Sequence, residues 1–240
     1  MNEISIIIPI LNESENIKIL VPEISKNIKI SGIQRYEILI VDDNSEDQIQ
    51  LVVKKLKKKF KSLKLLIRKK KNKDLSKSCV LGFEQSRYKN ILVMDGDFQH
   101  HPKYIIKLVK KFHKYNHDVV IGARDLTSTK KTKLSIFRLG SSIVVINLLN
   151  IILGKKTSDP LSGFFLFKKK IYEKNKNKLF SRGYKILADL IYSSKKKLDI
   201  KDVSINFGTR AKGESKMNLK ILIILLFFVF QKFKNKIFND

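Results

Sequence analysis

Two carboxylates separated by one residue, Asp95 and Asp97, follow directly on the apolar run Ile91-Leu92-Val93-Met94. Oxygen ligands so spaced suit a hard divalent cation, and such a cation commonly binds together with a phosphate-bearing ligand. The apolar run reads as a strand buried on both faces, the kind found in a parallel sheet, and the carboxyl end of such a strand opens onto a ligand crevice. Charges placed there cost stability unless something binds them. Asp and Gly are also ordinary turn residues, so from Asp95-Gly96-Asp97 alone a pair of solvated turn aspartates stays open as the alternative.

The pattern recurs along the chain. Tyr36-Glu37 leads into a second apolar run, residues 38–41, closing on Asp42 and Asp43, with Asn44-Ser45-Glu46-Asp47 as the turn, and residues 118–122 run into Ala123-Arg124. Three strand ends are thus predicted to deliver Asp42, Asp95, Asp97 and Arg124 to one rim. Ile4-Ser5-Ile6-Ile7-Ile8-Pro9 is a strand leading into a helix capped by Asn12 or Ser14. Residues 48–60 and 75–86 read as helices, residues 63–67 as a short strand, and Pro102 opens a further helix. Strands alternating with helices predict an α/β domain with a mostly parallel sheet covered on both faces. His100 and His101, beside the acidic motif and before Pro102, are read as loop or capping residues.

The second half differs. Residues 134–153 predict a long apolar helix interrupted by Arg138, Ser141, Ser142, Asn147 and Asn150 and ended by Gly154. After Asp159-Pro160-Leu161-Ser162-Gly163 comes a strand over 164–167, a helix around Ile186–Ile191, a strand over 200–207 and a polar loop holding Arg210 and Lys216. Residues 219–238 close the chain with an uninterrupted apolar run, 221–230. A bilayer span needs roughly 20 apolar residues, so this run is too short. With Lys232, Lys234 and Lys236 behind it, it predicts a helix lying on anionic lipid, the alternative being a helix packed on the protein's own core.

Composition narrows the classes. A chain of 240 residues with 43% hydrophobic content can bury the core of one α/β domain. The single Cys79 excludes an intramolecular disulfide and a cysteine zinc cluster. The first strand begins almost at Met1, leaving no room for a secretory leader, so a cytoplasmic domain, peripheral on the inner face of the membrane, is expected. The net charge of +28 points to anionic partners, yet only seven of the 50 basic residues are Arg, and they are scattered, which argues against specific nucleic-acid reading.

Taken in order, Pro9 with Asn12 and Glu13, Val41-Asp42-Asp43-Asn44-Ser45, Asp95-Gly96-Asp97, Asp159-Pro160-Leu161-Ser162-Gly163-Phe164-Phe165 and Gly213-Glu214-Ser215-Lys216 resemble a family 2 glycosyltransferase of the dolichol-phosphate mannosyltransferase type over nearly the whole chain. That resemblance implies a GT-A fold, with residues 1–216 as catalytic domain and 217–240 as a membrane-interface helix. It implies inverting transfer of mannose or glucose from a nucleotide sugar, GDP-mannose or UDP-glucose, to a polyprenyl or dolichyl phosphate, assisted by Mg or Mn. It also allows for a membrane-anchoring subunit.

Carried over by position, the resemblance places Pro9, Leu11, Glu13, Val41 and Asp42 around the nucleoside, and Asp95, Gly96 and Asp97 along the donor, with Asp97 and Gln99 on the metal. Arg124, Arg210 and Lys216 are expected on diphosphate or acceptor phosphate, and Arg138 and Ser142, one helical turn apart, on the acceptor phosphate. Asp95, Asp97, Arg210 and Lys216 are the expected catalytic set. Three departures stand out: Leu11 replaces a frequent aromatic residue, Lys73-Asp74-Leu75-Ser76-Lys77-Ser78 lacks the glycines of a Lys-x-Gly-x-Gly loop, and Gly96 stands for a frequent Ala, by size a harmless change. Two other activities fit fewer of these residues: transfer to a saccharide or protein acceptor, and non-catalytic binding of polyanions or a lipid surface.

Overall fold

The computed structural model describes residues 2–70, 72–124, 146–152, 154–183, 185–208 and 227–234. Its strands are β1 (Glu3–Ile10), β2 (Arg35–Asp42), β3 (Leu63–Ile67), β4 (Asn90–Val93), β5 (Val119–Arg124), β6 (Phe165–Lys168) and β7 (Ile200–Ile205). The helices are α1 (Ser14–Ile30), α2 (Ile49–Lys59), α3 (Leu75–Gln85), α4 (Ile105–Tyr115), α5 (146–152), α6 (Lys169–Asn175), α7 (Ile186–Ser193) and α8 (227–234).

The seven strands form one sheet in the order β3-β2-β1-β4-β6-β5-β7. All neighbours are parallel except β6, which runs antiparallel to both β4 and β5. An apolar run such as Phe164-Phe165-Leu166-Phe167 looks the same in either direction, so periodicity locates the strand without its orientation.

Alternation along β1 builds two cores, one on each face of the sheet. Ile4, Ile6 and Ile8 pack with Ile17, Leu20 and Ile24 of α1 and Leu108 of α4, whereas Ile7 packs in the cluster formed by Cys79 and Phe83 of α3 with Leu187 and Leu190 of α7. Side chains that alternate across a strand make both faces apolar, which is why β1 reads as a continuous run of Ile. Both layers hold the carboxyl ends of β1, β2, β4 and β5 at one rim of the sheet.

Candidate active site

Parallel registry sets the level of each residue at the rim. Ile7 pairs with Val93, Pro9 with Val41 and Ile10 with Asp42, so the residues after Val93 emerge beside Pro9 and Asp42. Asp42 is 1% exposed and accepts hydrogen bonds from the Ser45 backbone N–H (3.0 Å) and from its hydroxyl. Ser45 Oγ also accepts from the Asn12 N–H at 2.8 Å, and Asn12 Oδ1 accepts from Glu46 N at 2.9 Å. Asn12 adopts φ +58°, a left-handed conformation that Asn tolerates. The expected cap of α1 is therefore supplied from elsewhere: Ser14 N donates to Asp47 Oδ2 at 2.8 Å, while the Asn12 side chain holds the second loop. These bonds clasp the loops after β1 and β2 into one unit.

Beside it lies a pair that sequence reading does not assign. Asp43 contacts the Arg68 guanidinium and accepts a hydrogen bond from Asp74 N, and Arg68 also donates to the Asn72 carbonyl at 2.6 Å. Burial pushes the Asp43 carboxyl above its usual range in spite of those partners. Arg68 directly follows β3 just as Arg124 ends β5, so the rule that singles out Arg124 would also have found it. The glycine-poor loop is built in here too: Asp74 caps α3 by accepting from Lys77 N at 3.1 Å, and its other oxygen accepts from Gly183 N at 2.9 Å.

After β4 the chain turns sharply. Phe98 sits at φ +66°, a left-handed conformation that a bulky residue adopts only under constraint. That turn brings Gln99 N back to Asp97 Oδ1 at 3.1 Å. Asp97 and Gln99 are 6% and 7% exposed. Gln99 Nε2 donates to the Gly208 carbonyl at 3.3 Å and Gly208 N returns a bond to Gln99 O at 2.9 Å, which fixes the amide with Oε1 turned away from that carbonyl. The loop's neighbours leave little slack. A Cβ on Gly163 would lie 2.1 Å from Asp95 Oδ2, and one on Gly96 would lie 2.7 Å from Ile10 Cγ2. Gly96 is therefore not interchangeable with Ala by size in this chain, because the methyl it would meet belongs to a stiff β-branched side chain.

Does this donor set fit a divalent cation? A carboxylate and an amide oxygen are hard ligands suited to Mg or Mn. Among the described residues no cluster of three or more Asp, Glu, His or Cys stands ready to hold a metal. A two-oxygen protein set matches the way such ions bind through one or two carboxylates plus substrate phosphates. Asp97 and Gln99 would be its protein ligands.

Arg124 is engaged with Asp159. Its Nε and one terminal nitrogen each lie 2.7 Å from a carboxylate oxygen, and its backbone N–H adds a third bond at 3.2 Å. Asp159 is fully buried; burial alone would raise its pKa, but the Arg124 hydrogen bonds and charge hold it below the usual carboxylate range. The Asp159-Pro160-Leu161-Ser162-Gly163 motif thus does three things. Asp159 fixes Arg124, Ser162 Oγ donates to the Gly122 carbonyl at 2.7 Å, and Gly163 leaves room for Asp95.

Of the expected donor residues, the structure brings Pro9, Glu13, Asp42, Asp95, Gly96 and Asp97 to the ends of three adjoining strands. Glu13 is almost buried and accepts from Asn16 Nδ2 at 2.6 Å, and Leu11 is half-buried. Val41 is wholly buried in the core with Phe83 and Leu39, so only its backbone faces the rim. Arg138, Ser142, Arg210 and Lys216 lie outside the described residues. His101 is a cap as expected, accepting from Lys103 N at 3.1 Å. His100 is not: it is buried, with Nδ1 3.4 Å from Asp95 Oδ2.

The tail helix packs one face on the protein and leaves the other exposed. In α8, Phe228 and Val229 pack on Leu149 and Ala188, while Phe227 and Phe230 are 60% and 64% exposed and Phe233 is 42% exposed. Lys232 does not point outward. It is buried, with Nζ 2.6 Å from Asp189 Oδ1 and from Ser193 Oγ and 3.0 Å from the Lys178 carbonyl. Among the described residues no helix is long and apolar enough to cross a membrane.

Comparison with known proteins gives the family and the fold. The chain is 31% identical over 234 residues to a dolichol-phosphate mannosyltransferase of Pyrococcus furiosus, covering 97% of this chain and 64% of that protein, so it spans under two thirds of that relative's length. It is 29% identical to a dolichol-phosphate mannosyltransferase of Saccharomyces cerevisiae, covering 92% of this chain and 83% of the relative. Among solved structures, glucosyl-3-phosphoglycerate synthase from Mycobacterium tuberculosis in complex with Mn2+, UDP-glucose and phosphoglyceric acid superposes with a TM-score of 0.66 at 18% identity, covering 96% of this chain and 78% of that one; the likeness is one of fold. The family model for glycosyl transferase family 2 matches residues 5–175, and the chain belongs to that family.

Proposed function

We propose that this protein transfers a hexose, mannose or glucose, from a nucleotide sugar to a polyprenyl or dolichyl phosphate with inversion at the anomeric carbon. The observation that carries the reading is the convergence of Pro9, Asp42, Asp95 and Asp97 at the ends of β1, β2 and β4, in a chain similar to dolichol-phosphate mannosyltransferases. The structural relative that binds Mn2+ with UDP-glucose supports a divalent cation. The exposed Phe227, Phe230 and Phe233 support a lipid-facing tail.

In this reading the clasped loops after β1 and β2 hold the nucleoside, and Asp95 faces the sugar. Asp97 and Gln99 would hold the cation, which when bound offsets the charge of the leaving diphosphate. An acceptor phosphate oxygen forms the new bond to the anomeric carbon as the bond to the nucleoside diphosphate breaks. That oxygen is already anionic near neutral pH, so the protein's task is positioning and charge neutralisation rather than removal of a proton. Arg210 and Lys216 are assigned to neutralising the two phosphates, and Arg138 with Ser142 to seating the acceptor. Arg124, neutralised by Asp159, is assigned to holding the rim that faces the diphosphate.

The test is transfer of radiolabelled hexose from a panel of nucleotide sugars to a short polyprenyl phosphate, followed by extraction into organic solvent. Label in the organic phase is expected from the full chain, and Asp97→Ala should lower it roughly a thousandfold while the circular dichroism spectrum is unchanged. Label that stays in the aqueous phase on a saccharide or peptide would overturn the lipid acceptor.

A further inference from the structure

His100 is 2% exposed, and among the described residues neither of its ring nitrogens has a hydrogen-bond partner. Its ring packs against Phe164 and Phe207, with centroids 5.6 Å and 5.0 Å away. A buried polar group without a partner costs free energy, so a fold that keeps one there needs a reason. A Phe would fill the same apolar slot without that cost. The Asp95 carboxylate stands nearby, with Oδ2 3.4 Å from His100 Nδ1, too long for a good hydrogen bond. Hydrogen bonds that serve chemistry are often long before the reactants bind and tighten with them.

We propose that His100 is a positioning residue: Nδ1–H donates to Asp95 Oδ2 and fixes the carboxylate rotamer that faces the donor sugar. Phe164 and Phe207 pack against the imidazole, and Gly163 leaves the space that Asp95 occupies. The neighbouring carboxylate of Asp97 accepts through Oδ1 from Gln99 N. The inference rests on the proposed transfer only for what Asp95 faces, since the His100–Asp95 contact exists without a substrate.

Two measurements on the full chain test it. In the first, ring nitrogen shifts by NMR, assigned by the signal missing from His100→Asn, should show a proton on Nδ1 whose shift moves in Asp95→Asn. A bare Nδ1, or a shift indifferent to Asp95→Asn, overturns the proposal, and this readout needs no turnover. In the second, His100→Phe should fold as the wild type and bind nucleoside diphosphate within about twofold, yet lose about tenfold in kcat. His100→Asn, whose amide N–H can stand in for Nδ1–H, should recover most of that loss. If both variants lose equally, or neither loses, the positioning role is wrong. Absence of transfer by the wild type would instead remove the functional reading and leave the NMR result to decide His100.

Discussion

The rim at the carboxyl ends of the strands and the tail helix are held in place by opposite means. At the rim, side chains from one loop satisfy the backbone of the next: Asn12 with Glu46, Asp47 with Ser14, Asp74 with Gly183. None of those bonds is individually large, each contributing about 0.5–1.5 kcal/mol. Together they fix directions. The tail sits in an apolar seat of Leu149, Ala188 and Phe180, which supplies attraction but little register. Its register comes from one buried charge, Lys232, placed against Asp189. Asp189 also accepts from Phe180 N at 3.0 Å and Ser181 N at 2.8 Å, so the same carboxylate shapes the turn before Gly183. Many weak bonds tolerate the loss of one; a single buried pair does not.

The largest test of that contrast is Lys232→Met. Removing the cation leaves Asp189 buried without its charge partner, and the cost should be about 3–5 kcal/mol, read by urea unfolding of the full chain. Adding Asp189→Asn, which removes the buried charge while its one carbonyl oxygen still accepts from either Phe180 N or Ser181 N, should restore part of it. A loss below about 1 kcal/mol would mean that Lys232 reaches water and that the tail is held by its phenylalanines alone. No single rim substitution among Asn12, Ser45 and Asp47 to Ala should cost more than about 2 kcal/mol.

Among the described residues the rim also holds buried ion pairs like the tail's, Arg68 with Asp43 and Arg124 with Asp159, and pH tests the second. Since the folded Asp159 pKa is depressed below the ordinary Asp value, its contribution is present above about pH 4 and is lost as pH falls through the folded pKa. In that acid range the wild type should lose stability with a slope steeper than that of Asp159→Asn by up to about 1.4 kcal/mol per pH unit. Equal slopes measured by denaturant titration from about pH 5 down to the acid limit would show that the pair adds no pH-dependent stability.

What the sequence discloses follows the same division. The strand ends carrying Asp42, Asp95, Asp97 and Arg124 are legible because apolar periodicity locates strands and a parallel sheet sends their carboxyl ends to one side. Their partners are not, because a side chain's partner is set by loop geometry across large sequence gaps: Arg124 and Asp159 are 35 residues apart, Asp74 and Gly183 are 109. His100 escapes sequence reading for a related reason. Beside Pro102 it has the same sequence context as His101, and only the fold separates them: His100 is buried against Phe164 and Phe207, whereas His101 caps the next turn. Lys232 groups with Lys234 and Lys236 in the sequence because a lysine-rich segment behind an apolar run carries no sign of which lysine turns inward.

The smallest effect concerns the tail's outer face, and it asks whether that face has a partner beyond the protein. Phe227, Phe230 and Phe233 recur every three residues on the side opposite Phe228, Val229 and Lys232, so changing one of them should leave the fold alone. Phe230→Ser is expected to shift urea unfolding by less than about 0.5 kcal/mol, as an exposed surface change does. If the face lies on lipid, sedimentation with anionic vesicles should weaken roughly tenfold, because a Phe side chain buried in an apolar phase contributes about 1.5–3 kcal/mol. Vesicle binding that is unchanged in Phe230→Ser but abolished by salt would assign the attraction to the lysine surface instead. The two halves of the molecule would then differ in what orders them but not in what they offer to a membrane.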